Sequence, residues 1–304
     1  MKILLLGCNG QVGWELQRSL QPLGEVVSCD FDSPVDRRAN FLEPDAVSAL
    51  VTRVQPGVIV NAAAHTAVDK AESEPELARL INATTPGVIA KTANQLGALL
   101  VHYSTDYVYD GSGDAPRDET AATGPLSVYG SSKLEGEDLI RSSGCRHIIL
   151  RTSWVYAARG HNFIKTMVQL AAERESLSVI NDQTGAPTGA DLLADVTGLV
   201  ISKITNGQGA TGLYHCASAG ATSWFEYARF VIGWARANGL PIKVADDAIR
   251  PIPTSAFPTP ATRPLNSRLS TKKLIETFSL HMPEWQTGVE RMLQETFQNP
   301  EGRR

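Results

Sequence analysis

Five residues rich in leucine run straight into three glycines spaced three apart, and an amphipathic stretch follows. Residues 2–6 read Lys-Ile-Leu-Leu-Leu, residues 7–13 read Gly-Cys-Asn-Gly-Gln-Val-Gly, and helical periodicity covers 11–21. A short unbroken apolar run is a strand buried on both faces. Glycines at Gly7, Gly10 and Gly13 permit a tight turn, close backbone approach to a pyrophosphate, and a helix packed hard on its strand. The phosphates would meet unpaired N–H groups, those of Gln11 and Val12 among them, at the positive end of a helix dipole. A glycine pattern alone is weak, and its place between strand and helix gives it weight.

The first half of the chain repeats that unit. Apolar runs at 25–29, 57–62, 98–104 and 147–152 alternate with helical patterns at 44–54, 76–80, 86–96 and 129–141. Pro86 would break a helix continuing from Glu76, so a fresh helix is expected to begin there. Such alternation predicts an α/β fold, a doubly wound parallel sheet of Rossmann type with helices on both faces. The second half is mixed: strands at 177–180 and 212–217, helices at 190–203, 224–238 and 282–297, and irregular chain at 251–264. We expect a dinucleotide-binding domain over 1–150 and a smaller, mainly substrate-binding lobe over 151–304. The chain should recross to the first domain near 179–203.

Composition narrows the partners. The chain has 304 residues, 28 Lys+Arg against 32 Asp+Glu, a net charge of −4, and 42% hydrophobic residues. That balance removes the basic excess of a nucleic-acid binder and the low hydrophobicity of a disordered chain. No apolar run approaches the roughly 20 residues of a membrane-spanning helix, and residues 3–6 are too few for a signal peptide. The four cysteines are scattered, without zinc spacing. A cytoplasmic protein with neither nucleic-acid nor membrane partners is expected.

Asp30 ends the second apolar run, 20 residues after Gly10. A carboxylate there accepts from ribose hydroxyls and favours NADH, whereas Arg37 and Arg38 could neutralise the 2′-phosphate of NADPH, so both cofactors stay open. Ala63 and Ala64 would let a cofactor lie across the strand ends, with His65 and Tyr103 beside it. Lys165 and Arg263 are further candidates for binding anions.

Tyr129-Gly-Ser-Ser-Lys133 is the sharpest catalytic signal. Positions i and i+4 of a helix share a face, so a phenol and an ammonium project together. A nearby cation should lower the tyrosine pKa from about 10 and suit it to acid catalysis on a carbonyl oxygen. Thr105 and Asp106 follow a strand, at the end where open α/β sheets bind ligands, and Thr105 could hydrogen-bond the same oxygen.

With the segments GCNGQVGWELQ, VIVNAAAHTAVDKAESEPE, VHYSTDYVYDG, PLSVYGSSKLEGE, RTSWVYAARGHNF, VINDQTGAPTGADLLAD and PTPATRPLNSRL, the chain resembles the extended short-chain dehydrogenase/reductases acting on nucleotide sugars. The likeness is greatest to the branch that reduces dTDP-4-dehydro-6-deoxy-L-mannose to dTDP-L-rhamnose. It implies hydride transfer from NADPH or NADH to C4, protonation by Tyr129, carbonyl polarisation by Thr105, and a nicotinamide ribose held by Lys133. It also implies substrate contacts at Asp106 and Trp154, and Mg²⁺ on Glu15, Asp191 and Glu295 at a homodimer interface, although Asp191 stands where glutamate is expected. Two other readings stay open. A nucleotide-sugar epimerase or dehydratase would retain NAD, although a dehydratase typically has two acids after the threonine, and here Tyr107 follows Asp106. The regulatory subunit of methionine adenosyltransferase resembles the same family and binds dinucleotide without this chemistry.

Overall fold

The computed structural model describes residues 1–298. Six parallel strands form the central sheet: β1 (Lys2–Leu6), β2 (Glu25–Cys29), β3 (Val58–Asn61), β4 (Leu99–Thr105), β5 (Arg146–Thr152) and β7 (Gly212–His215). Their order is β2-β1-β3-β4-β5-β7. The chain leaves β1 in one direction and returns past it to β3, so the sheet reverses its winding between β1 and β3. A crevice opens at such a switch point, outside the carboxyl ends of the strands.

Side-chain alternation explains why the strands are apolar throughout. Ile3, Leu5, Val58, Val60, Leu99, Val101, Ile148 and Leu150 enter one core, against helices α1 (Gln11–Leu20) and α8 (Ala190–Thr205). Leu4, Leu6, Ile59, Leu100 and Ile149 enter the other, against α2 (Pro44–Val54), α5 (Thr85–Leu96) and α6 (Val128–Ser142). Period-2 strands with both faces covered need apolar residues at every position.

A third core is built by α7 (Phe163–Glu173), α9 (Trp224–Ala237) and α11 (Trp285–Leu293) with the parallel pair β6 (Leu177–Ile180) and β8 (Ile249–Ile252). Between β6 and α9 the chain returns to the sheet, because α8 and β7 pack in the first core. Helix α10 (Lys272–Phe278) also sends Leu274 and Phe278 there. No helix among the described residues is long and apolar enough to cross a membrane.

Two short helices, α3 (Val68–Ser73) and α4 (Pro75–Arg79), follow β3. The expected break at Pro86 takes an unexpected form. The helical path continues from α4 into α5 through a π turn at Leu80–Thr84, in which the Thr85 amide reaches back to the Leu80 carbonyl. Widening one turn accommodates the residue that cannot donate. The turn packs on Gly136 of α6, where a Cβ would lie 2.1 Å from the Asn82 carbonyl oxygen. The last helix starts at Trp285 rather than 282, because the Pro283 carbonyl is drawn into a bond with the Ala219 amide.

Candidate active site

The glycine loop is a close-approach site in fact as well as pattern. Gly7 has φ +80°, and a Cβ there would sit 2.6 Å from the Ala63 nitrogen; at Gly13 a Cβ would meet the Gly7 carbonyl oxygen at 1.9 Å. Gly7, Gly10, Asp30, Ala63 and Ala64 line a cavity of about 580 Å³ with an apolar wall that includes Phe31, Phe41 and Leu77. Asp30 is fixed by two backbone amides, Asn9 on Oδ2 and Phe31 on Oδ1, each at 2.8 Å. Arg37 and Arg38 are exposed and outside that lining. The shape and donors fit a dinucleotide.

A second cavity, of about 530 Å³, joins the loop to the candidate catalytic residues. Gly10, Gln11 and Val12 line it together with Thr105, Tyr129 and Lys133, and Ala64, Tyr103, Asp106 and Trp154 share the lining. Helix α6 is capped by Ser127, whose Oγ accepts from the Gly130 amide, while Glu72 accepts from the Val128 amide at 2.8 Å. These caps fix the first turn, and hence Tyr129 and Lys133. The Lys133 ammonium nitrogen lies 2.6 Å from the Tyr103 carbonyl and 3.3 Å from His102 Nε2. Burial lowers the Lys133 pKa to about 8, against the opposing charge of Glu137 one turn on.

The Tyr129 pKa moves opposite to the sequence expectation. Burial raises it to about 12, the hydrogen bond with Thr105 lowers it, and the Asp106 charge raises it. Desolvation outweighs the Thr105 hydrogen bond that favours the ionised form. Tyr129 is therefore a firmly protonated phenol at neutral pH, as a proton donor must be.

Trp154 forms one wall of the cavity. Its backbone has φ +50°, and its ring stacks on Trp224 with centroids 3.6 Å apart. Gly185 makes room, since a Cβ there would lie 2.7 Å from the indole. His65 lines neither cavity: its backbone is pinned by the Asn82 side chain at 2.8 and 3.1 Å, and its ring faces Glu74 at 3.7 Å. Tyr103 reaches Lys133 through its carbonyl, while its hydroxyl bonds Thr197 at 2.6 Å. Arg263 is taken up by Asp69, with bonds of 3.0 and 2.8 Å. Lys165 donates to the Ala158 and Gly160 carbonyls and lines a separate cavity of about 930 Å³.

Residues 1–298 match the family described as the RmlD substrate binding domain. The chain belongs to that family. It is 54% identical over 297 residues to dTDP-4-dehydrorhamnose reductase of Escherichia coli (strain K12), covering 98% of each chain. Among solved structures, a dTDP-4-dehydrorhamnose reductase from Clostridium acetobutylicum superposes with TM-score 0.87 at 36% identity, covering 97% of this chain and 99% of that one. One from Bacillus anthracis, in complex with NADP, also gives 0.87, at 34% identity and the same coverage.

Within this RmlD family member, the acids implied as a Mg²⁺ site do not form one. Glu15, Asp191 and Glu295 face one cavity of about 280 Å³, but Arg18 and Arg291 share it. Arg291 holds Asp191 Oδ2 at 2.9 Å, the other oxygen takes the Leu192 amide, and Arg18 lies 3.8 Å from Glu15. Among the described residues no three His, Cys, Asp or Glu are grouped to hold a metal. Mg²⁺ needs several oxygens in strict octahedral array, and guanidinium groups occupy the charge it would balance. The donor set does not fit.

Several site residues escaped the sequence. Asn61 accepts from the Ala63 amide and touches His102 Nδ1, both at 3.1 Å, and so couples the strand end to Lys133. Asn82, Trp224 and Ser267 are separated from the catalytic segments by tens of residues, and no local pattern points to them.

Proposed function

We propose that the chain reduces dTDP-4-dehydro-6-deoxy-L-mannose to dTDP-L-rhamnose with NADPH or NADH. The observation that carries this is one cavity lined both by the glycine loop and by Thr105, Tyr129 and Lys133. A dihydronicotinamide held there beside Gly10, Gln11 and Val12 would supply the hydride that C4 takes up. Tyr129 transfers its phenolic proton to O4, so the ketone becomes a hydroxyl and the phenolate is reprotonated from solvent. Thr105 donates a hydrogen bond to the same oxygen, stabilising charge as it develops. Lys133, held by the Tyr103 carbonyl, binds the ribose and stabilises the Tyr129 phenolate once formed. Asp106 and the Trp154–Trp224 wall contact the sugar.

The test is NAD(P)H oxidation, followed by absorbance, on addition of the 4-keto-6-deoxy sugar nucleotide. Tyr129→Phe should lose on the order of 10²–10⁴ in turnover while retaining cofactor affinity. Normal turnover by Tyr129→Phe would remove the acid assignment. Protein purified with tightly held NAD, and no consumption of added NAD(P)H, would favour the epimerase reading.

A further inference from the structure

Asp106 is a buried carboxyl group in the cavity wall that the reaction above uses only as a sugar contact. It is 2% exposed, its Oδ2 is buried, and the Ser267 side chain reaches the carboxyl group by a hydrogen bond. Its Oδ1 lies 3.0 Å from Thr105 Oγ1. The Tyr107 amide donates to that same Oγ1 at 3.2 Å, and Tyr129 shares a side-chain hydrogen bond with it.

Thr105 has one proton and two lone pairs. The Tyr107 amide fills one lone pair in a direction the backbone fixes. An ionised Asp106 can only accept, so it takes the Thr105 proton. The remaining lone pair then takes the Tyr129 proton, and both hydroxyls point away from a substrate oxygen. A protonated Asp106 with its proton on Oδ1 donates to Oγ1 instead. Both lone pairs are then filled, and the protons of Thr105 and Tyr129 turn to the cavity.

We propose that Asp106 is a positioning residue that sets the direction of the Thr105–Tyr129 hydroxyl pair, its neutral form being the one that can donate to a carbonyl oxygen. A ketone oxygen only accepts, so substrate binding selects neutral Asp106 and draws one proton from solvent. Burial raises the Asp106 pKa to about 6, with hydrogen bonds from Ser267 and Thr105 opposing. The groups around it are Tyr129 and, one turn on, Lys133 on α6, Tyr107 on its own turn, and the Arg263–Asp69 pair acting on Tyr107. This inference rests on the ketone-reductase reading.

The experiment is kcat/KM for the keto sugar nucleotide from about pH 5 to 9, which reports ionisations of the free enzyme. Wild type should fall as pH rises through about 6, by about tenfold per pH unit until the ionised form's own rate is reached. Asp106→Asn offers an amide donor to Oγ1 at every pH and should lose that fall. Thr105→Val should also lose it, and Asp106→Asn added to Thr105→Val should leave the shape of the pH profile as it is in Thr105→Val. Wild type with NADP⁺ and the keto sugar should take up close to one proton per site near neutral pH, measured by calorimetry in two buffers; this needs no variant. A pH fall that persists in Asp106→Asn, a flat wild-type profile, or no proton uptake overturns the inference alone. No turnover by wild type at any pH overturns the reading beneath it and the inference together.

Discussion

The buried pair behind helix α6 offers a test in which stability and chemistry separate. Glu137 is fully buried and Arg151 is 2% exposed. They are joined by bonds of 2.8 and 2.6 Å, and Arg151 also donates to the Tyr109 hydroxyl at 2.7 Å. Removing one partner leaves an unpaired buried charge, at a cost of about 3–5 kcal/mol, whereas replacing both by apolar residues is often close to neutral. With unfolding entropy near 2.1 cal/mol/K per residue, 304 residues give roughly 0.64 kcal/mol/K, so either single change should lower Tm by about 5–8 °C. Glu137→Leu and Arg151→Met should each show that loss in thermal melts, and the double variant should recover most of it. The Glu137 charge also raises the Lys133 pKa, so its removal moves Lys133 below about 8. A lysine of lower pKa loses its charge at lower pH, and the alkaline fall of kcat should begin earlier in Glu137→Leu. The double variant lacks the same carboxylate, so its stability should return while its alkaline limb stays displaced. Equal melting of all four proteins would refute the energetic reasoning, and an unmoved limb would refute the link to Lys133.

Three further outcomes follow from contacts at the cavity walls. Gly13→Ala places a methyl group 1.9 Å from a backbone oxygen, so the loop must open; kcat/KM for the cofactor should fall on the order of 10²-fold, measured in steady state with the fold checked by circular dichroism. Gly185→Ala presses a methyl group on the Trp154 indole at 2.7 Å, which should cost about 1–3 kcal/mol and raise KM for the sugar nucleotide without changing cofactor affinity in titrations. Dialysis against EDTA should leave kcat unchanged, because Arg291 already holds Asp191; a loss restored by Mg²⁺ would show that the acids rearrange into a ligand set.

What could be read from sequence is what depends on neighbours along the chain. Leu4 and Leu5 point to opposite cores because strand side chains alternate, so a continuous apolar run already implied helices on both faces. Gly7 and Gly13 could be read because strand, turn and helix are contiguous, and Tyr129 and Lys133 because a helical turn relates them. The sign of the Tyr129 shift could not, since burial depends on which other segments close over the phenol, and burial is the largest influence on it. The turn at Pro86 was legible as an interruption but not as a π turn. Its form follows from Asn82, which must present its side chain to His65 and its carbonyl to Gly136 at once. The same holds for the acids at Glu15, Asp191 and Glu295: residue type suggested oxygen ligands, yet Arg18 and Arg291 arrive from the faces that those acids share. Sequence spacing assigns a side chain to a face, and the charges already present on that face decide its chemistry.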